Sequence, residues 1–159
     1  MNILITGAKG FVGRNLTASL ESIRDGKDRV HRIEGLEEPS ELIIYTYDID
    51  STPEELDTYC KEADFVFNLA GVNRPKNQED FMKGNFGFAS TLLDTLKKHG
   101  NKAPVMLSSS IQASLTGRFA GSEYGRSKLA GEELFQAYSE ETGAKVLIYR
   151  FPNLFGKWC

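Results

Sequence analysis

The sequence predicts an α/β fold, Rossmann-like and doubly wound, with a mostly parallel sheet and helices on both faces. Three observations predict it. Short apolar runs with β-branched or aromatic residues alternate with stretches of helical periodicity along all 159 residues. A glycine-rich turn follows the first run. Helix start and stop signals fall between the runs, as in successive βα units.

Asn2 to Thr6 (NILIT) is the first strand, and Phe11 to Ile23 shows apolar residues at helical spacing through Val12, Leu16 and Leu20. Residues 24 to 41 are charged and poorly patterned, so a surface loop is expected before the strand Leu42 to Tyr47 (LIIYTY). Thr52-Pro53-Glu54-Glu55 starts a helix. The hydroxyl caps it, the proline fits the first position and a glutamate closes a capping box. That helix should run to Lys61. Phe65 to Leu69 is the next strand, Asp80 to His99 a helix stopped by Gly100, and Pro104 to Leu107 a further strand. Ser122 to Thr142 is the last helix, ended by Gly143, and Lys145 to Arg150 the last strand. There is no internal repeat and no low-complexity tract.

The length suits one domain. Lys and Arg number 19 against 22 Asp and Glu, a net charge of −3, which offers no broad positive surface to a nucleic acid. No apolar run approaches the roughly 18 residues a membrane span needs, and a cytoplasmic protein with no membrane partner is expected. Cys60, Cys159, His31 and His99 are isolated from one another in sequence, giving neither a zinc spacing nor a disulfide framework.

Gly7-Ala8-Lys9-Gly10-Phe11-Val12-Gly13 joins the first strand to the first helix. A dinucleotide's pyrophosphate would there meet free backbone N–H groups and the positive helix end. Tyr124 and Lys128 lie four apart on one helical face, so phenol and ammonium can share a cleft. A cation beside a phenol stabilises its anion and makes it a usable acid or base. Ser108-Ser109-Ser110 follows a strand on the side where open α/β sheets bind ligands, and its hydroxyls suit a carbonyl oxygen that becomes an alkoxide.

Through GAKGFVG, the NLAG of Asn68 to Gly71, SSS, YGRSK and the RFPNLFG of Arg150 to Gly156, the chain resembles the extended short-chain dehydrogenases/reductases over its whole length. LAGVNRP (69–75), SSSIQA (108–113) and PNLFGKWC (152–159) are similar to the capsular-polysaccharide UDP-sugar 4-reductases of UDP-N-acetyl-L-fucosamine formation. The resemblance implies NADPH-dependent reduction of the 4-keto group of a UDP-2-acetamido-2,6-dideoxy-hexulose. It assigns Gly7, Gly10, Phe11, Val12 and Gly13 to the pyrophosphate, and Leu69, Ala70 and Gly71 to the adenine and ribose side. Lys128 would bind the nicotinamide ribose, Tyr124 would donate the proton, and Ser110, with Ser109 as second choice, would hold the sugar oxygen. Pro152 and Asn153 would meet the nicotinamide. Asn85 either organises the site or is a buried helix asparagine. A homodimer through the helices at 80–99 and 122–142 is a further expectation from the superfamily.

Asp48 or Asp50 takes the place of the acidic residue that binds the adenosine ribose, and a carboxylate there repels a 2′-phosphate. This favours NADH, whereas the resemblance favours NADPH, with Arg14, Arg29 or Arg32 as phosphate partners. The segment 114–123 is longer than the corresponding family loop. Members of the group continue with a substrate-binding portion and then a cupin domain, so 1–159 is expected to be the dinucleotide-binding domain alone, with little turnover. A 4-epimerase or dehydratase of the same superfamily shares these motifs, although SSSIQA lacks a dehydratase's acidic partners. A non-catalytic NADP-sensing regulator would keep the glycine turn but not need Tyr124 and Lys128.

Overall fold

The computed structural model describes residues 1–72, 82–114 and 122–159. The expected helix start at Asp80, the 73–75 part of the LAGVNRP phrase and most of the long 114–123 segment lie outside them. Five strands, β1 (Asn2–Thr6), β2 (Ile43–Tyr47), β3 (Phe65–Asn68), β4 (Val105–Ser110) and β5 (Val146–Phe151), form one sheet in the order β2-β1-β3-β4-β5. Every neighbouring pair is parallel. The chain thus adopts the Rossmann-like α/β fold, with all five strand C-termini on one edge. Strand order reverses between β1 and β3, which opens a crevice there.

Local chemistry sets the helices α1 (Phe11–Arg24), α2 (Pro53–Glu62), α3 (Phe88–Lys98) and α4 (Glu123–Thr142). The capping box of α2 is complete: Glu55 N donates to Thr52 Oγ1 at 3.2 Å, and Thr52 N donates to the Glu55 carboxylate at 2.7 Å. Helix α4 starts at Ser122, whose hydroxyl accepts from Gly125 N at 2.9 Å, and stops at Gly143 in the left-handed conformation, φ +74°. Residues 25–38 carry no strand, so β2 pairs directly with β1, and Ile33 and Leu36 of that loop pack on the sheet.

Two expectations need correction. The helix expected from 80 is α-helical only from Phe88, because Met82–Gly87 winds as a π-helix. Gly84 and Gly87 weaken the α preference of that turn, and Asn85 within it is held by bonds outside the helix. Strand β4 was expected to end at Leu107, yet it runs on through all three serines, paired Ser108 to Tyr149, Ser109 to Arg150 and Ser110 to Phe151. Serine tolerates the strand because Glu132 and Tyr124 on α4 engage the Ser109 and Ser110 hydroxyls.

Alternation along β1 divides the core. Leu4 faces the larger cluster with Val66 and Val105 of β3 and β4 and with Leu56, Leu92, Leu96 and Phe135, brought by α2, α3 and α4. Ile3 and Ile5 face α1 and pack with Ala8 and Leu20. Phe135 is completely buried, whereas Phe155 is 91% exposed. Phe135→Ala should therefore lower the unfolding free energy by about 3–5 kcal/mol, and Phe155→Ala by less than about 0.5 kcal/mol, in urea titrations.

Candidate active site

Thr6 and Asn68 end β1 and β3 side by side. The Thr6 hydroxyl donates to Asn68 Oδ1 at 2.7 Å, and Ala70 N donates to Thr6 Oγ1 at 3.3 Å. This brings the first turn against the third. Gly7 has φ +69°, and a Cβ on it would stand 2.6 Å from Ala70 N. A Cβ on Gly13 would stand 2.2 Å from the Gly7 carbonyl oxygen, so only glycine lets α1 seat on the turn. Gly10, the N-cap of α1, supplies no side-chain cap, and the first turn holds no acidic residue. Its amides are left for an anionic ligand.

A cleft of about 760 Å³ opens over these strand ends. Gly7, Gly10, Phe11, Val12, Gly13, Leu69, Gly71, Ser110, Tyr124, Lys128, Pro152 and Asn153 all line it. Ala70 and Asp48 do not. Ala70 contributes its amide to Thr6, while Asp48 lies in an adjoining cavity with Asp50, Ser51 and Glu55. Both Asp48 carboxylate oxygens accept backbone bonds, from Lys9 N at 2.7 Å and Ile49 N at 2.8 Å. The Lys9 ammonium pairs with Asp50. Arg14 lines a cavity of about 430 Å³ beside the glycine turn with Lys9 and Thr17, and has no ion-pair partner among the described residues. Arg29 and Arg32 are not brought to the turn; they line a separate cavity with Ile23, His31 and Leu36.

Helix α4 delivers Tyr124 and Lys128. Its start seats closely on the turn after β4, where a Cβ on Gly125 would lie 2.6 Å from the Gln112 carbonyl oxygen. Tyr124 shares a hydrogen bond with Ser110; burial pushes its phenol pKa up and the Ser110 bond opposes the shift. Lys128 Nζ donates to the Ser108 carbonyl at 3.1 Å and stands 5.6 Å from the Tyr124 ring centroid. Burial pushes its ammonium down to about 8. The Ser109 hydroxyl is directed elsewhere, donating to Glu132 at 2.6 Å, so among the three serines it is Ser110 that meets the tyrosine.

Asn85 is buried and links three segments. Its Oδ1 accepts from Val72 N at 2.8 Å, and its Nδ2 donates to Ser127 Oγ at 3.0 Å and to the Val72 carbonyl at 3.3 Å. Ser127 Oγ in turn donates to the Tyr124 carbonyl at 2.8 Å. Gly71 makes room for this, since a Cβ there would lie 2.6 Å from Asn85 Oδ1 and 3.3 Å from Lys128 Nζ. Sequence reasoning missed Thr6, Asn68, Gln112 and Glu132. Two polar residues closing otherwise apolar strands were the available signal for the first pair.

No helix among the described residues is long and apolar enough to cross a membrane. Among them there is also no group of three or more His, Cys, Asp or Glu placed to hold a metal.

The desolvated ammonium makes a stability prediction. An unfolded chain holds the Lys128 proton up to the ordinary value of 10.5, whereas the folded chain releases it near 8. Between these values the unfolded state binds more protons, so this group makes stability rise with pH. Lys128→Met should raise the urea midpoint at pH 7 and flatten the rise that the unaltered protein shows between pH 8 and 10. Unchanged pH dependence would show that Lys128 titrates normally.

Known proteins share this fold and much of this sequence. The profile of the NAD dependent epimerase/dehydratase family matches residues 3–158. The UDP-2-acetamido-2,6-beta-L-arabino-hexul-4-ose reductase of Pseudomonas aeruginosa is 39% identical over 158 residues, 99% of this chain and 37% of that protein. The crystal structure of the capsular polysaccharide assembling protein CapF from Staphylococcus aureus superposes with a TM-score of 0.74 and 43% identity, covering all of this chain and 37% of CapF. The UDP-glucuronic acid 4-epimerase of Bacillus cereus in complex with NAD shares the fold, with a TM-score of 0.71 and 24% identity over 98% of this chain and 58% of that one. The chain thus spans well under half the length of the reductase and of CapF.

Proposed function

The chain belongs to the NAD dependent epimerase/dehydratase family, and from that premise we propose that residues 1–159 are the dinucleotide-binding domain of a longer cytoplasmic oxidoreductase. Its substrate is a UDP-2-acetamido-2,6-dideoxy-hexulose, whose 4-keto group is reduced with NADPH in the formation of a capsular or other surface polysaccharide. The observation that carries this reading is the meeting of Tyr124, Lys128 and Ser110 in one cleft with the glycine turn. The 39% identical reductase supplies the substrate class.

The uncapped start of α1 and the glycines that leave no room for a Cβ fit a pyrophosphate, and Lys128 fits the nicotinamide ribose. A dinucleotide held there would supply the hydride for the carbonyl carbon. Ser110 and Tyr124 hold the carbonyl oxygen by hydrogen bonds that strengthen as negative charge develops there. Tyr124 passes its phenolic proton to that oxygen, which leaves an alcohol and a phenolate. The Lys128 ammonium stabilises the phenolate, and burial of both groups strengthens their attraction. Tyr124→Phe removes the proton donor but little of the cofactor contact. In the full-length protein it should lower kcat by about 10²–10⁴-fold and leave the dinucleotide dissociation constant within about twofold. Equal loss of both would assign the hydroxyl to binding.

For the cofactor, Arg14 favours NADPH, since it stands unpaired beside the glycine turn with Lys9 and the Thr17 hydroxyl, itself without a partner among the described residues. Titration of nicotinamide fluorescence should then show tighter NADPH than NADH binding. Arg14→Ser should weaken NADPH by about 10-fold to 100-fold, the value of one charge-assisted bond, and leave NADH unchanged. NADH is the second reading, favoured by the Asp48 carboxylate, and tighter NADH binding would establish it. A 4-epimerase of the same family is separated by product analysis, because it leaves the dinucleotide unconsumed whereas the reductase consumes one per sugar.

A further inference from the structure

Glu132 is a carboxylate only 2% exposed, and the proposed chemistry makes no use of it. It lies on α4 two turns after Tyr124 and one turn after Lys128, at the four-residue spacing that keeps all three on one helical face. Each of the three engages one of three consecutive serines. Tyr124 bonds Ser110, Lys128 bonds the Ser108 carbonyl, and Glu132 accepts the Ser109 hydroxyl at 2.6 Å. Glu132 also takes a forked pair from Arg150, Nε at 2.9 Å and Nη2 at 2.6 Å. Arg150 stands directly opposite Ser109 in the β4–β5 register. One carboxylate therefore pins the last turns of two strands to the helix that carries Tyr124.

A buried carboxylate is unfavourable without partners, and an apolar side chain of similar size fills such space at least as well. What the ion pair adds is direction, since a forked guanidinium and a hydroxyl fix the carboxylate plane. Burial pushes the Glu132 carboxyl up, but the bonds from Arg150 and Ser109 and the Arg150 charge outweigh it and hold it below its ordinary value. It is thus charged at neutral pH and acts as a steady acceptor, not as a proton donor. Ser109 and Ser110 are neighbours in an extended strand, so a displacement of one passes to the other without slack.

We propose that Glu132, with Arg150, is a positioning residue that fixes the end of β4 against α4 and so sets Ser110 at hydrogen-bonding distance from Tyr124. The proposal rests on the reading of Ser110, Tyr124 and Lys128 as the reacting set. In the full-length protein Glu132→Leu should lower kcat for the keto-sugar by about 30-fold to 100-fold, as misplacement of a reacting group does, with the KM for the dinucleotide within about twofold. Glu132→Gln keeps an oxygen for Ser109 and Arg150 and should recover most of that loss. A purely architectural role predicts a lower unfolding midpoint with kcat retained in the folded fraction, and that result overturns the proposal, as does equal loss in kcat and dinucleotide binding. Should Glu132→Leu fail to fold, Ser109→Ala, which deletes one hydroxyl, decides the matter through a fall in kcat of about fivefold or its absence. Crystal structures of these variants give a readout that needs no substrate. An opened Ser110 to Tyr124 bond supports the proposal and an intact one refutes it, even if the unaltered protein reduces no keto-sugar and the proposed function itself fails.

Discussion

Thr6 and Asn68 are fully buried polar residues at the ends of neighbouring parallel strands, and the hydrogen bond between them determines where the first and third turns meet. Buried hydroxyl and amide groups need partners, and these two satisfy each other at the point where the sheet's strand order reverses. With β1 and β3 locked in that register, the backbone after Asn68 presses on the backbone after Thr6. Position 7 then has no room for a side chain, and the chain must leave β1 in a left-handed conformation. The direction of α1 follows, as does the exposure of its first amides to the cleft.

From this junction the constraint passes to the opposite wall. Gly71 stands where any side chain would strike Asn85 or Lys128, and Asn85 connects the turn after β3 to Ser127 on α4. Asn85 sits in the one π-helical turn among the described residues, and such turns commonly occur at functional sites because they re-aim a side chain. Lys128 is thereby held in a pocket that depresses its ammonium. The arrangement is unfavourable for folding and, under the proposed function, useful for a phenol that releases its proton, a conflict expected where reactive groups are concentrated.

Much of this was legible in the sequence where the determinants are local. The capping box at Thr52, the helix stop at Gly143 and the glycine spacing of 7, 10 and 13 each depend on a few neighbouring residues, and each lies where the pattern placed it. The features that were not legible depend on distant partners. Serines 108 to 110 read as a loop because their composition is polar, yet Glu132, Tyr124 and β5 supply the bonds that make them strand. The π turn at 82–87 could not be read from periodicity, because Asn85 is anchored by Val72 and Ser127 from outside the helix. Asp48 was placed correctly at the end of β2, but spacing gave no sign that backbone amides occupy both its oxygens.

That last point bears on how charge is distributed around the glycine turn. Taken from the sequence, Asp48 and Asp50 put two negative charges beside the adenosine ribose, where each would oppose a 2′-phosphate by an amount that water screening reduces at an exposed site. In the folded chain Lys9 pairs with Asp50 and so cancels most of that field at a distance. Asp48 has no ion-pair partner among the described residues, but two amide dipoles point at it and lessen its repulsion of a neighbouring anion. What remains is one partly compensated carboxylate on one side of the turn and the Arg14 guanidinium on the other. A charge-assisted bond to a charged group contributes about 1.5–3 kcal/mol and acts against that lessened repulsion. Under the proposed function, discrimination between the two nicotinamide cofactors reduces to two opposing contributions at the edge of the turn, one from Asp48 and one from Arg14.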